Sequence, residues 1–306
     1  MPNPDNNELT PAQVMEQVAR AVPEACRSNV IIIGSLAAGY HFFGNDRSKA
    51  IRTKDVDAMF SPHAMAAGAA REVTETLLAA NWTVRREGEF GEPGDANTPD
   101  DKLPLVRLKP PQQAQWFLEL MSAPGADSDG ELVKKHDRIE TKAGHFALCS
   151  FGFLGLAEHT PLITEWGVRY ARPEMMALAN LLHHPMIGTA TMSGGFFGAT
   201  PVKRANKDLG RVLALAYLSL ERDRDAMEKW SEAWRDALSA RYPLRVEDLT
   251  ARLGLGLAAL MGSRDDFNEA VRTCSLGLLR SMDVGPEALE ATARRLIAEA
   301  IEPLTE

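Results

Sequence analysis

The chain has 306 residues, 45% hydrophobic and 25% charged, with a formal net charge of -8. These are ordinary globular values that exclude disordered, collagen-like and fibrous classes. The acidic balance excludes a broad nucleic-acid-coating surface and leaves room for a small basic patch. Apolar runs such as Val30–Ile33 fall far short of the ~20 residues a membrane span needs, so no membrane contact is expected. The polar, acidic start at 1–8 lacks the basic and apolar segments of a signal peptide, so the expected compartment is the cytoplasm. Cys26, Cys149 and Cys274 stand singly, without a CxxC pair, and read as small buried hydrophobes.

Thr10 and Pro11 read as the N-cap and first residue of a helix over 10–22, with Val14, Val18, Ala21 and Val22 at helical spacing. The run 29–34 is β-branched and apolar after Asn29 and closes on Gly34, the pattern of a buried strand. A helix is expected over 35–43, ended by Gly44-Asn45-Asp46. In the strand 54–60, alternation puts Asp55, Asp57 and Met59 on one face and Val56, Ala58 and Phe60 on the other. A helix over 63–80 and a strand over 82–88 precede a Gly-, Pro- and Asp-rich surface loop over 89–102, of a kind that is often mobile.

Runs 105–108 and 116–121 read as a strand pair joined by the turn-prone Lys109-Pro110-Pro111-Gln112-Gln113. Glu119 sits inside the apolar second run. Short strands are expected around 145–150, 161–165 and 168–171. From Pro173 onward the signals are helical, over 173–184, 203–222, 224–240, 246–262, 264–281 and 286–301, with a Gly-rich connection at 188–198. The expected class is α+β: a mixed β-sheet with flanking helices over 1–171, then a helical C-terminal domain over 172–306.

An apolar strand closed by Gly34-Ser35, a helix, and Asp55-Val56-Asp57 in a second strand resemble the signature of the DNA polymerase beta-like nucleotidyltransferase superfamily. The chemistry suits the spacing, because an Asp-x-Asp in an extended strand points two carboxylates at one locus that can hold two divalent cations. Such hard oxygens suit Mg2+ or Mn2+. Gly34 lets the backbone approach a triphosphate, while the Ser35 hydroxyl and the amides of the following helix receive its charge. The resemblance implies a nucleotidyltransferase fold with a third carboxylate on a neighbouring strand. Glu119 is the candidate, because a charge in an apolar strand needs a partner such as a metal. Asp55, Asp57 and Glu119 would then be the catalytic and metal-binding set. The implied reaction is in-line attack of a hydroxyl on the α-phosphate of a nucleoside triphosphate, with loss of pyrophosphate. The segment 44–51 is then an insertion. Its Arg47 and Lys49, with Arg52 and Lys54 beyond, read either as triphosphate contacts or as a solvated basic loop.

Farther on, Arg172-Pro173-Glu174-Met175-Met176-Ala177-Leu178 and Lys203-Arg204-Ala205-Asn206-Lys207-Asp208-Leu209 look like the paired helices of AbiEii-type toxin nucleotidyltransferases, the toxin half of type IV toxin-antitoxin systems. The resemblance covers about residues 29–222 and is specific over 34–57. It implies Lys207 and Asp208 at the nucleotide site, an acceptor such as transfer RNA, a protein or a small molecule, and a cognate antitoxin. Asn180 stands where that family usually carries a lysine, and Arg211 where it often has an aspartate.

Asn206 or the preceding loop is expected to cap a helix starting near Lys207, where an anion would offset the lysine's charge against the helix dipole. The other reading makes Lys203, Arg204, Lys207 and Arg211 a solvated face. Adjacent His183 and His184 point about 100° apart on a helix and read as a helix end rather than a metal pair. Trp230 and Trp234, one turn apart, read as buried packing in preference to a base-stacking platform. The competing function is a nucleotidyltransferase-fold module without catalysis that binds nucleotide or serves as a scaffold.

Overall fold

The computed structural model describes residues 9–49, 55–86, 91–111, 116–125, 135–184, 191–193 and 201–305. It is mixed α+β and divides into two compact units between Arg172 and Pro173.

The first unit opens with α1 (Pro11–Ala21), whose start is a capping box. The Thr10 hydroxyl accepts from the Gln13 amide, and the Gln13 side chain accepts from the Thr10 amide at 2.9 Å. A short α2 (Glu24–Arg27), not expected from the pattern, leads into β1 (Val30–Ile33). All four β1 residues are buried, which stabilises the sheet centre by about 1.5–3 kcal/mol per side chain. Next come α3 (Gly34–Phe43), β2 (Asp55–Phe60) and α4 (His63–Ala79), with α4 packed on β2 and β5 and α3 on β1.

The sheet is completed by β3 (Thr83–Val84), β4 (Arg107–Lys109), β5 (Phe117–Ser122), β6 (Lys135–Thr141), β7 (Gly144–Ser150), β8 (Leu162–Ile163) and β9 (Arg169–Tyr170). Strand order is β3-β4-β5-β2-β1-β9-β8, with β7 joining the end of β5 and β6 pairing β7. β2 runs parallel to β5 and antiparallel to β1.

Several expected bounds shift. The strand expected over 82–88 is only two residues long among the described residues, and β6 was not foreseen, because Lys135-His136-Asp137-Arg138 lacks an apolar alternation. The stretch 91–102, expected as part of a surface loop, is tied to the β6–β7 hairpin by a backbone bridge between Gly94 and His145, with reciprocal hydrogen bonds of 2.9 Å, and by the Arg138 side chain. Arg138 donates from Nε to Asp100 at 2.8 Å and from Nη1 to the Asp95 carbonyl at 3.1 Å, and it also bonds the Thr98 carbonyl.

The second unit is built on helices: α5 (Pro173–His183), α6 (Arg204–Arg222), α7 (Ala226–Arg241), α8 (Val246–Leu253), α9 (Leu255–Gly262), α10 (Arg264–Leu276) and α11 (Pro286–Arg295). A two-stranded ribbon, β10 (Met192–Ser193) with β11 (Val202–Lys203), precedes α6. α6 is the hub, packed by α5, α7, α10 and α11. The helix expected over 246–262 is two helices broken at Gly254, and the one expected over 264–281 stops before Gly277. Trp230 and Trp234 are buried with ring centroids 5.6 Å apart, and Trp234 donates to the Glu174 carbonyl at 2.8 Å. Their role is packing. Among the described residues no helix is long and apolar enough to cross a membrane.

Candidate functional site

β1 delivers the chain into α3 at Gly34, which adopts φ +69°, a left-handed conformation that favours glycine. A Cβ added there would lie 2.7 Å from Asp57 Oδ2. The glycine is thus required twice, by its backbone angle and by a carboxylate resting against its Cα. Ile33, the N-cap of α3, offers no side-chain hydrogen bond, and Ser35 is half-buried in the first turn.

Asp57 faces Ile33 across the β1–β2 pair and Glu119 across the β2–β5 pair; Asp55 faces Phe117. Residues directly opposite in a sheet share a face, and so do positions two apart in a strand. Asp55, Asp57 and Glu119 therefore lie on one face, beside the Gly34 turn. Asp55 is exposed, Asp57 half-buried and Glu119 buried at 9% exposure.

Glu119 has a second opposite residue, Arg107 of β4. Arg107 Nε donates to Glu119 Oε2 at 2.6 Å. Arg85 continues the row: its amide donates to the Arg107 carbonyl at 2.8 Å, and its guanidinium lies 3.8 Å from the centroid of the Phe117 ring. One sheet face thus carries carboxylates at β2 and β5 and guanidinium groups toward its β3 edge. Neither Arg107 nor Arg85 was singled out in the sequence; the available signal was the alternation that puts Arg107 and Lys109 on one side of a short strand.

Carboxylate oxygens in neighbouring positions of one face fit Mg2+ or Mn2+ in donor chemistry. Among the described residues, no group of three or more His, Cys, Asp or Glu side chains is arranged to hold a metal ion, and the Glu119 carboxylate is directed to Arg107. The donors match in kind, and the third is held by a cation of the protein itself.

Lys54, expected at the nucleotide, and Arg52 lie outside the described residues, as does most of the 188–198 connection. Lys207 and Asp208 belong to α6 in the second unit. Asp208 is 1% exposed and lies between two arginines of its own helix, 3.1 Å from Arg204 Nε and 3.5 Å from Arg211 Nη1. Lys207 is half-buried on the same helix.

The expectation that Asn206 caps this helix is corrected: α6 begins at Arg204, and the Asn206 amide donates to Asp266 at 2.8 Å and Glu269 at 2.7 Å of α10. Lys203, Arg204 and Arg211, read as a solvated face, keep side-chain exposures of 45%, 38% and 36% and are also paired, Lys203 with Asp266 at 2.6 Å and both arginines with Asp208. The hydrogen bonds from Lys203 and Asn206 hold the Asp266 carboxyl down to about 2. Asn180 donates to the Met176 carbonyl of its own helix at 2.8 Å.

His183 and His184 close α5. Burial lowers the pKa of both, with the Asp208 charge opposing the shift. His184 lies against Gly256 of α9, where an added Cβ would collide with its Nδ1.

Comparison of the chain with family models, curated proteins and solved structures returns no match.

Proposed function

We propose that the chain is a divalent-cation-dependent nucleotidyltransferase, transferring a nucleoside monophosphate from a nucleoside triphosphate to an acceptor hydroxyl. The observation that carries this reading is the Gly34 turn, a left-handed glycine at the start of a helix with the Asp57 carboxylate packed against it. That turn sets the α3 amides and the Ser35 hydroxyl, which suit phosphate oxygens, beside carboxylates, which suit cations.

On this reading Gly34 gives the phosphate chain access to the backbone, and Ser35 orients it. Asp55 and Asp57 would hold the cation, with Glu119 as third ligand once released from Arg107. Bound Mg2+ or Mn2+ would neutralise triphosphate charge and lower the barrier to ionisation of the acceptor hydroxyl. The acceptor oxygen bonds to the α-phosphorus as the bond to the pyrophosphate oxygen breaks, and the hydroxyl proton passes to a carboxylate of the set. Lys207 and Asp208 join this reading through the family resemblance alone, as does a toxin role with an antitoxin partner. An anionic acceptor such as RNA likewise joins this reading through the family resemblance alone.

Incubation with labelled nucleoside triphosphates, Mg2+ and total RNA or cell lysate is expected to give label transfer. Asp57→Asn is expected to reduce it by at least about a hundredfold, the scale of losing a group that acts on transition-state charge. Equal labelling by the wild type and Asp57→Asn would refute the assignment.

A second reading, a nucleotide-binding or scaffold protein without catalysis, is favoured by the ion pair that occupies Glu119 and by Asn180 in place of the family lysine. Calorimetry separates the two, because a scaffold binds its partner without dependence on cations or Asp57.

A further inference from the structure

Resting on the reading of Asp55, Asp57 and Glu119 as one cation locus, we infer that Arg107 is a phosphate-responsive latch on Glu119. Glu119 lies between two opposite residues on the same sheet face, Arg107 of β4 and Asp57 of β2. Its carboxylate pairs with Arg107 at 2.6 Å. The choice has a physical cause: two carboxylates directly opposite each other repel unless a cation stands between them, whereas the arginine attracts.

That preference is reversible. A guanidinium matches phosphate as well as it matches carboxylate, so a triphosphate competes for the same donors. Arg107 is the accessible member of the pair, with its side chain 37% exposed against 12% for Glu119. Arg85, opposite Arg107 with its guanidinium over Phe117, adds positive charge that draws an anion to this strip.

Once a phosphate takes Arg107, Glu119 is left as a buried charge in need of a new partner. Its neighbour on β2 is Asp57, and a divalent cation held by the two carboxylates would satisfy both. Phosphate arrival and cation binding are therefore coupled through Arg107, and by linkage each strengthens the other. Arg107 acts as a positioning residue for Glu119.

The test uses the full chain and inorganic probes. Mn2+ binding without nucleotide, followed by electron paramagnetic resonance, is expected to tighten by roughly tenfold in Arg107→Gln, a usual size for coupling between sites. Arg107→Gln combined with Glu119→Gln should return affinity to the wild-type level or below. Arg107→Lys keeps the charge and loses the planar fork; it should tighten binding by a smaller factor, and it carries the test if the Gln variant does not fold. Metal-free calorimetry with pyrophosphate is expected to show weaker binding by several-fold in Arg107→Gln.

If Asp57→Asn abolishes Mn2+ binding in the wild-type background while neither Arg107 variant tightens it, the latch is refuted and the cation locus stands. If pyrophosphate binds the wild type and Arg107→Gln equally, the phosphate trigger is refuted. Absence of Asp57-dependent Mn2+ binding in the wild type and both Arg107 variants overturns the proposed function together with the latch.

Discussion

Two buried carboxylates, one in each unit, are held by arginine in different ways. Asp208 takes both its partners from its own helix, Arg204 one turn before and Arg211 one turn after. Glu119 takes its partner from the neighbouring strand and has another carboxylate, Asp57, on its other side. The first arrangement draws on residues of α6 alone and sets Asp208 between two cations of its own helix. The second depends on a sheet register and offers Glu119 an alternative as soon as a cation or a competing anion arrives. Local pairing secures a charge, and cross-strand pairing leaves it open to exchange.

The sharpest break of this comparison is removal of both helix partners. Arg204→Gln with Arg211→Gln leaves Asp208 buried without a cation, and should cost about 3 kcal/mol or more, as for breaking a buried ion pair. Denaturant unfolding followed by circular dichroism checks it. Arg107→Gln should cost less, because Glu119 is less deeply buried than Asp208. Equal losses would erase the distinction between a committed and an exchangeable carboxylate.

Next in size is Gly34→Ala. The left-handed backbone costs about 1–2 kcal/mol for an L-residue. The new Cβ must also displace Asp57 Oδ2, 2.7 Å away. A lowered Tm accompanied by weaker Asp57-dependent Mn2+ binding is the expected pair of readouts. Loss of stability with unchanged cation binding would separate the turn from the carboxylate.

The smallest effect concerns pH and falls on the second unit. His183 and His184 have folded-state pKa values below the usual histidine value, so the unfolded chain binds protons more readily. Their contribution is fully present above about pH 6.5, the unfolded value, and is lost as pH falls from there toward the depressed folded values. Groups around them are Asp208, which opposes the shift, and Arg204 and His184, which add to it at His183. Urea midpoints measured between pH 7.5 and 5 should fall less in His183→Gln with His184→Gln than in the wild type. Parallel slopes would remove these histidines from the acid response.

Much of the candidate site was legible because it rests on short-range pattern. A β-branched run closed by glycine, then Asp-x-Asp at strand period, locates β1, the α3 start and a shared carboxylate face from steric and alternation rules alone. Glu119 was legible as a charge in an apolar strand, hence in need of a partner. The identity of that partner was not, because Arg107 becomes its neighbour only through the β4–β5 register. Asn206 was misread for the same kind of reason: its capping chemistry was visible, and its use across α6 and α10 needed Asp266 and Glu269 brought from far along the chain.

By itself the sequence determined β1, the glycine turn into α3 and the common face of Asp55 and Asp57, since each depends on backbone angles and side-chain period within a few residues; it missed α2 and β6, which carry no such pattern. The tertiary structure decided which charges meet: Glu119 with Arg107 and beside Asp57, and Asp57 against Gly34. Charge pairing depends on distance in space, and strand register, unlike strand period, is set by the whole sheet.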